Sequence, residues 1–131
     1  KDDTIGTKLL NLLIEKASQG VEVRLVVDDV GSDISNKMLN SLKENNVYVQ
    51  KFMPVLFSKS TGKMNYRDHR KIAVIDGKIG YVGGINVSDD YVNENNTAYF
   101  RDTHCRLEGD AVKQLQILFV TIWLWVAKYC L

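Results

Sequence analysis

The spacing of apolar residues changes three times within the first 52 residues of the chain. Over residues 5–19 apolar side chains recur every three or four positions, which predicts an amphipathic helix capped by Asp3 or Thr4. Residues 21–28 then form a valine-rich run that is typical of a buried strand. A second predicted helix at residues 34–43 and a second strand at residues 47–52 repeat this order. The first part of the chain is therefore an α/β alternation.

The middle of the chain predicts a hairpin and a third strand beside it. An apolar strand at residues 72–75 and a returning strand at residues 81–84 are separated by Asp76-Gly77, which is a common hairpin-turn dipeptide. Residues 99–109 alternate between apolar and polar side chains, as a neighbouring strand would. We expect these three segments to pair.

Two polar loops and a long apolar helix complete the pattern. The loops are predicted at residues 54–64 and 88–97, on either side of the hairpin. Residues 110–131 predict a helix that is apolar on most sides. We expect one side to be buried against its own sheet and another against a second domain or subunit. Its longest apolar run is about half of the roughly 20 residues that a membrane span requires. We predict an α/β/α sandwich around a mixed β-sheet, in a single domain of residues 1–131.

Composition narrows the class of protein but does not choose the substrate. The chain has 131 residues, of which 45% are hydrophobic and 25% are charged, which is typical of one globular domain. A net charge of +1 gives no overall attraction to nucleic acid or to an anionic membrane. Cys105 and Cys130 are too few for a disulfide framework, and their spacing predicts no zinc site. The absence of an initial methionine suggests a piece of a longer protein, and a reducing compartment fits best.

The candidate chemistry begins with His69 and Lys71. They lie two positions apart at the start of the predicted strand, so both side chains point to one face, about 6.6 Å apart. A neutral imidazole can attack phosphorus and form a phosphohistidine, while an ammonium group stabilises the oxyanions of the transition state. This pair predicts a site that cleaves phosphodiesters without a metal or another cofactor.

Three further residues extend the candidate site along the hairpin. Asp76 completes the spacing H-x-K-x4-D and is counted with the catalytic group, but in an unbroken strand it faces away from His69, which gives it a structural role in the turn. Gly84 allows a close approach of the backbone to phosphate. Asn86 can donate its amide to a phosphate oxygen.

Asp102 is the candidate that orients the histidine. A nucleophilic imidazole needs an acceptor on its second ring nitrogen, and Asp102 lies on the strand predicted next to the hairpin. The alternative is an ordinary ion pair between Asp102 and Arg101 or Arg106. His104 lies two positions further on and is predicted to be structural.

The full pattern, H-x-K-x4-D-x6-G-G-x-N, resembles the signature of the phospholipase D superfamily. Nearly the whole chain is similar to the first half of a bacterial cardiolipin synthase. The segments that carry this similarity are Gly20-Val21-Glu22-Val23-Arg24, Asp28-Asp29-Val30-Gly31-Ser32, Asn65-Tyr66-Arg67-Asp68-His69-Arg70-Lys71, Gly83-Gly84-Ile85-Asn86, Phe100-Arg101-Asp102-Thr103-His104 and Leu107-Glu108-Gly109.

The resemblance implies a phosphatidyltransferase that acts on phosphatidylglycerol at the cytoplasmic face of the cell membrane. One phosphatidyl group would pass to the hydroxyl of a second phosphatidylglycerol, with release of glycerol. It also implies the roles of the residues: His69 attacks phosphorus, Lys71 and Asn86 hold the oxyanion, and Asp102 orients His69. The superfamily places an acidic residue on a strand shortly after the motif, which is the basis for assigning Asp102.

The resemblance also implies a partner that this chain lacks. The family uses two facing H-x-K motifs, and this sequence has one. The second histidine would come from another half of the same protein or from a second copy, and we expect little turnover without it. The full-length family members carry membrane-spanning segments at the amino terminus, whereas we expect this fragment to be soluble.

Two other functions fit the same residues. A homodimeric phosphodiesterase or nuclease could pair two copies of the single motif across a twofold axis. The modest net charge makes a nucleic-acid partner unlikely, and a salt-sensitive affinity for DNA would favour it. A non-catalytic interaction domain, docking through Trp123 and Trp125, is the second alternative.

Overall fold

A computed structural model describes residues 1–29, 31–52, 69–92 and 99–129. The loop predicted at residues 54–64 lies outside the described residues, as do residues 93–97 of the second predicted loop. In chain order the elements are α1 (Thr4–Ser18), β1 (Val23–Asp28), α2 (Asn36–Glu44), β2 (Val47–Phe52), β3 (Lys71–Ile75), β4 (Ile79–Gly83), a 3₁₀ turn (Asp89–Tyr91), β5 (His104–Glu108) and α3 (Asp110–Tyr129).

Side-chain caps set where the first two helices begin. The Asp3 carboxylate accepts a hydrogen bond from the Gly6 amide at 2.8 Å, so Asp3 rather than Thr4 is the cap of α1. The Ser35 hydroxyl accepts from the Met38 amide at 3.2 Å, which starts α2 two residues later than the apolar pattern predicted. Gly20 follows α1 with φ 86°, a conformation that glycine adopts without strain.

The parallel pair β1 and β2 has helices on both faces. The pairing runs in parallel from Val23 opposite Val47 to Asp28 opposite Phe52. Val23 and Val47 form a buried core with Leu10 of α1 and Leu42 of α2. Side chains at alternate positions contact α3 on the other face. The Arg24 guanidinium lies 5.5 Å from the Trp123 ring centroid, and the ring centroids of Phe52 and Trp125 are 5.3 Å apart. These contacts confirm helix layers on both sides of this pair.

The antiparallel strands β3, β4 and β5 form the predicted hairpin with its neighbour. Lys71 pairs with Gly83, and Gly83 pairs with His104. Asp76 and Gly77 have φ values of 53° and 62°, and the Lys78 amide donates to the Ile75 carbonyl at 3.0 Å. Two consecutive positive φ angles match a hairpin turn whose twist suits the strands. The predicted turn is confirmed, whereas β5 begins five residues later than the alternating pattern indicated.

The α/β class and the presence of both parallel and antiparallel pairing are confirmed, but the strands are divided between two sheets. Within the described residues β1 pairs with β2 alone, and β3 pairs with β4 alone. Within these residues the parallel and the antiparallel pairings therefore lie in separate sheets. Helix α3 packs against β2 and against all three antiparallel strands, so it spans both sheets. At its beginning Val112 is fully buried and lies beside Gly80 of β4.

By length and composition alone, α3 is the one helix in the described part of the chain that could cross a membrane. A helix that covers a sheet can have the same composition, and α3 packs against four strands. Ile117 and Leu124 are 58% and 61% exposed on its outer side. The sequence predicted that this outer side of α3 is buried against another domain or subunit. That contact stays a prediction.

Two aspartates join the loop after β4 to the first turn of α1. The Asp89 carboxylate accepts from the amides of Thr4 at 3.0 Å and Ile5 at 2.7 Å. In return the Asp3 carboxylate accepts from the Asp89 amide at 2.9 Å as well as from Gly6. The free N–H groups and the dipole at a helix start favour negative charge there. The two carboxylates therefore hold the loop against the helix.

We expect Asp89→Asn to lower the midpoint of thermal unfolding at pH 7 by a few degrees, because an amide oxygen is a weaker acceptor than a carboxylate. The hydrogen bond from the Ile5 amide lowers the pKa of Asp89, against an opposing effect of burial. A lowered folded-state pKa stabilises the protein above the ordinary aspartate value of about 3.9, and this contribution is lost as the pH falls through the folded-state value. Calorimetry from pH 7 to pH 3 measures both effects.

Asp33→Asn is the matched control, since this carboxylate is exposed and makes no hydrogen bond within the described residues. It should leave the midpoint and its pH dependence nearly unchanged. Equal midpoints for the two variants across the pH range would contradict a role for the Asp89 carboxylate in holding α1.

Candidate functional site

His69, Lys71 and Asn86 line one cavity of about 520 Å³. The cavity lies between β1 of the parallel pair and β3 of the antiparallel sheet. Part of its lining is apolar and comes from both sheets and α3, including Val26, Ile72 and Phe119. The rest is polar and contains the candidate residues. The three residues that sequence spacing predicted as nucleophile, cation and amide donor are thus brought to one space.

The start of β3 positions the histidine and the lysine. His69 precedes the strand and is exposed, while Lys71 is its first residue and is partly buried. The Lys71 ammonium donates to the His69 carbonyl oxygen at 2.7 Å, which holds the charge beside the backbone of the histidine. An ammonium group has three N–H donors, so two are left for a ligand in the cavity.

Asn86 follows β4 and is oriented by a tyrosine that sequence reasoning missed. The Asn86 side-chain amide donates to the Tyr91 hydroxyl oxygen at 2.5 Å, and Tyr91 lines the same cavity. The Tyr91 ring packs on Phe100, with ring centroids 5.1 Å apart. The one signal in the sequence was Ser88, whose side chain caps the 3₁₀ turn that ends at Tyr91.

Gly83, the last residue of β4, and Gly84, which follows it, let the segment before β5 approach closely. The Gly84 amide donates to the Thr103 carbonyl at 3.1 Å, and the Asp102 carboxylate lies directly over Gly84. A Cβ added to Gly84 would meet both carboxylate oxygens at less than 3.0 Å, and a Cβ on Gly83 would meet the Thr103 carbonyl and the His104 backbone equally closely. The glycines therefore serve the packing of this segment.

Asp102 lies over Gly84 and is not among the residues that line the cavity. Its carboxylate accepts from the Thr103 amide at 2.7 Å, and within the described residues no hydrogen bond joins it to His69. The predicted orienting role of Asp102 remains a prediction. The alternative ion pair with Arg106 is not formed in the described part of the chain, because Arg106 pairs with Glu108 along β5 and its pKa is raised by that partner.

Asp76 and His104 lie away from the cavity. Asp76 follows the last residue of β3, roughly 17 Å along the strand from Lys71, and it is exposed in the hairpin turn. Its place agrees with a structural role in the turn, and the catalytic role with which it was also counted stays a prediction. His104 begins β5 with its backbone against Gly83 and is not part of the cavity lining.

We expect Gly83→Ala to lower the unfolding midpoint more than Gly84→Ala, because the methyl group on residue 83 would meet backbone atoms that cannot move, whereas the one on residue 84 would meet the exposed side chain of Asp102. Gly84→Ala should instead displace the Asp102 carboxylate. Thermal unfolding of the two variants beside wild type measures the difference. A larger loss from Gly84→Ala would show that Asp102 is held more firmly than its exposure indicates.

Comparisons with known proteins point to one family. Residues 5–123 match the family described as "Cardiolipin synthase, PLD-like domain". The chain is 46% identical to the cardiolipin synthase of Oceanobacillus iheyensis, 43% identical to the major cardiolipin synthase of Bacillus subtilis, and 44% identical to a cardiolipin synthase of Staphylococcus aureus. Each similarity covers 94% of this chain and 25–26% of the relative. No solved structure is significantly similar to the chain.

These similarities agree with the residues gathered at the cavity. The chain spans about a quarter of the length of the curated relatives it matches, so a similarity to them covers one domain and not their whole activity.

Proposed function

Because this chain belongs to the cardiolipin synthase family of phospholipase D-like domains, we propose that it is one half of a site that transfers a phosphatidyl group between two phosphatidylglycerol molecules. The observation that carries the proposal is the convergence of His69, Lys71 and Asn86 on one cavity. One space is surrounded by a nucleophile, a cation and an amide donor. This set of groups suits a catalytic role on a phosphodiester better than it suits ligand docking alone or a purely structural role.

In the first step a ring nitrogen of His69 attacks the phosphorus of phosphatidylglycerol. The P–N bond forms as the bond from phosphorus to the glycerol oxygen breaks, and the leaving oxygen takes a proton from a second histidine outside this chain. The product on the enzyme is a phosphatidylhistidine. The Lys71 ammonium and the Asn86 amide hold the non-bridging oxygens, on which negative charge builds in the transition state.

In the second step a hydroxyl of another phosphatidylglycerol attacks the phosphatidylhistidine. The second histidine, now neutral, removes the proton of this hydroxyl as its oxygen attacks phosphorus. The P–N bond breaks, His69 returns to its starting form and cardiolipin leaves. No metal or other cofactor enters either step, because the lysine supplies the positive charge and the two histidines move the proton.

The second histidine defines the partner of this domain. In the proposal it belongs to another phospholipase D-like half of the same protein or to a second copy of the chain. The relatives are about four times as long as this chain, which leaves room for a second half. The proposed substrate is phosphatidylglycerol, so the active protein would lie at the cytoplasmic face of the cell membrane. The net charge of +1 gives no overall attraction to nucleic acid, which supports a lipid rather than DNA or RNA as the substrate.

Asp102 is proposed to orient His69 once the second half is in place. The carboxylate lies beside the end of the hairpin that carries His69, on the strand segment that leads into β5. An acceptor on the second ring nitrogen would select the tautomer and stabilise the imidazolium that forms on cleavage.

We expect His69→Ala in the full-length protein to lower phosphatidyl transfer by at least about 10³-fold, because the covalent route is lost with the nucleophile. The assay follows labelled phosphatidylglycerol in vesicles and measures cardiolipin and free glycerol. His104→Ala is the control, since this histidine lies outside the cavity and should leave the rate within about twofold.

Three outcomes separate the alternatives. Transfer that disappears in His69→Ala and persists in His104→Ala supports the synthase with His69 as nucleophile. A folded wild-type protein that forms no cardiolipin contradicts the proposal. Hydrolysis without transfer, together with salt-sensitive binding of DNA, would instead favour the homodimeric phosphodiesterase.

We expect Asp102→Asn to slow the same reaction by about 10²-fold, because an amide orients an imidazole without stabilising its cation. The rate of phosphatidylhistidine formation, measured in a single turnover after acid quenching, is the informative quantity. Asp76→Asn is the control, and it should form the intermediate at the wild-type rate. Equal rates for wild type and Asp102→Asn would assign Asp102 to the packing over Gly84 alone.

A further inference from the structure

We propose that Tyr91 is a third donor to the phosphate group, beside Lys71 and Asn86. The inference rests on the proposed function, since it concerns the same cavity. Tyr91 was not among the residues that the sequence motif identified. Its side chain lines the cavity with the three candidate residues, and its hydroxyl is in direct contact with one of them.

The hydrogen bond to Asn86 determines how the tyrosine hydroxyl can act. The Asn86 amide is the donor and the Tyr91 oxygen is the acceptor, at 2.5 Å. A phenol can accept and donate at once, so its own proton remains available. Within the described residues that proton has no acceptor, and the hydroxyl lies at the cavity that Lys71 and Asn86 also line. An anionic oxygen is the acceptor that suits three such donors.

The tyrosine ring is held in place before any ligand arrives. It packs on Phe100 with centroids 5.1 Å apart and the ring planes inclined by 34°. Tilted aromatic pairs of this kind are favourable beyond the area they bury. The ring can therefore keep the hydroxyl at the cavity without help from the substrate.

The backbone that carries Tyr91 is also fixed. Its amide donates to the Ser88 carbonyl at 3.1 Å, and Ser88 is buried, with 3% of its surface exposed. The neighbouring Asp89 carboxylate is bound to the first turn of α1. A donor placed in advance on a rigid segment stabilises developing charge without reorganisation at the moment of reaction.

A nearby carboxylate does not oppose an anion here as strongly as its charge would suggest. Asp90 also lines the cavity, but it forms an ion pair with Lys1 and accepts from the Ser88 hydroxyl at 3.0 Å. The paired lysine offsets much of the repulsion between this carboxylate and a phosphate.

The test uses the full-length protein and compares Tyr91→Phe with Tyr99→Phe. Phenylalanine keeps the ring that packs on Phe100 and removes only the hydroxyl. Tyr99 is the matched control because it is 79% exposed and does not line the cavity. We expect Tyr91→Phe to lower kcat/KM for phosphatidyl transfer by about tenfold, the usual effect of losing one hydrogen bond to a charged group. Wild-type kcat/KM in Tyr91→Phe would overturn the proposal.

A double variant separates direct donation from an effect through Asn86. If Tyr91 only orients the amide, Tyr91→Phe will cause no further loss once Asn86→Ala has removed that amide. Direct donation predicts that the second substitution still lowers the rate severalfold. No further loss in the double variant would contradict the third donor.

A measurement without turnover keeps this inference distinct from the proposed function. Inorganic phosphate should protect His69 from modification by diethyl pyrocarbonate, and the phosphate concentration for half protection should rise about tenfold in Tyr91→Phe but not in Tyr99→Phe. If the wild-type protein transfers nothing, the synthase proposal fails while this comparison still decides the role of Tyr91. Equal half-protection concentrations for wild type and Tyr91→Phe would overturn that role.

Discussion

The carboxylate of Asp89 makes the contact on which the arrangement of the cavity depends. It lies in the loop after β4, yet its hydrogen bonds go to the amides of Thr4 and Ile5 in the first turn of α1. One end of the contact lies in the loop that follows the antiparallel strand β4, and the other lies in α1, which packs on the parallel pair. Together with α3, which packs on both sheets, it holds the two sets of strands on either side of one space. Asn86 and Tyr91 are positioned by the same loop.

The cavity has an apolar part and a polar part, which differ in what they contribute to ligand binding. Apolar side chains from β1, β3 and α3 form one part, and the polar candidates form the other. Such a division is common in ligand sites, where apolar walls supply burial and a few polar groups fix orientation. In the proposed function the polar part binds the phosphate of the headgroup, and the Lys71 ammonium beside the His69 backbone is one of the charges there.

Short-range patterns predicted much of the fold because their causes are local. Asp3 caps α1 through an amide three residues away, and Asp76-Gly77 turns the hairpin through its own backbone angles. The patterns were less successful where distant segments compete. The alternation over residues 99–109 predicted a long strand, but the first part of that segment crosses over Gly83 and Gly84, so pairing begins only at His104. The division of the strands into two sheets likewise depends on pairing between segments far apart in sequence.

Local sequence patterns specify the chemical groups of the candidate site and their order along the chain. The two-residue spacing of His69 and Lys71 follows from strand geometry, and the position of Asn86 follows from the length of the hairpin. Contacts between distant segments bring Tyr91 to their cavity, leave Asp76 outside its lining and place Asp102 over Gly84. Periodicity specifies which side of its own element a residue faces, whereas proximity across elements depends on loop contacts and side-chain packing that no local pattern encodes.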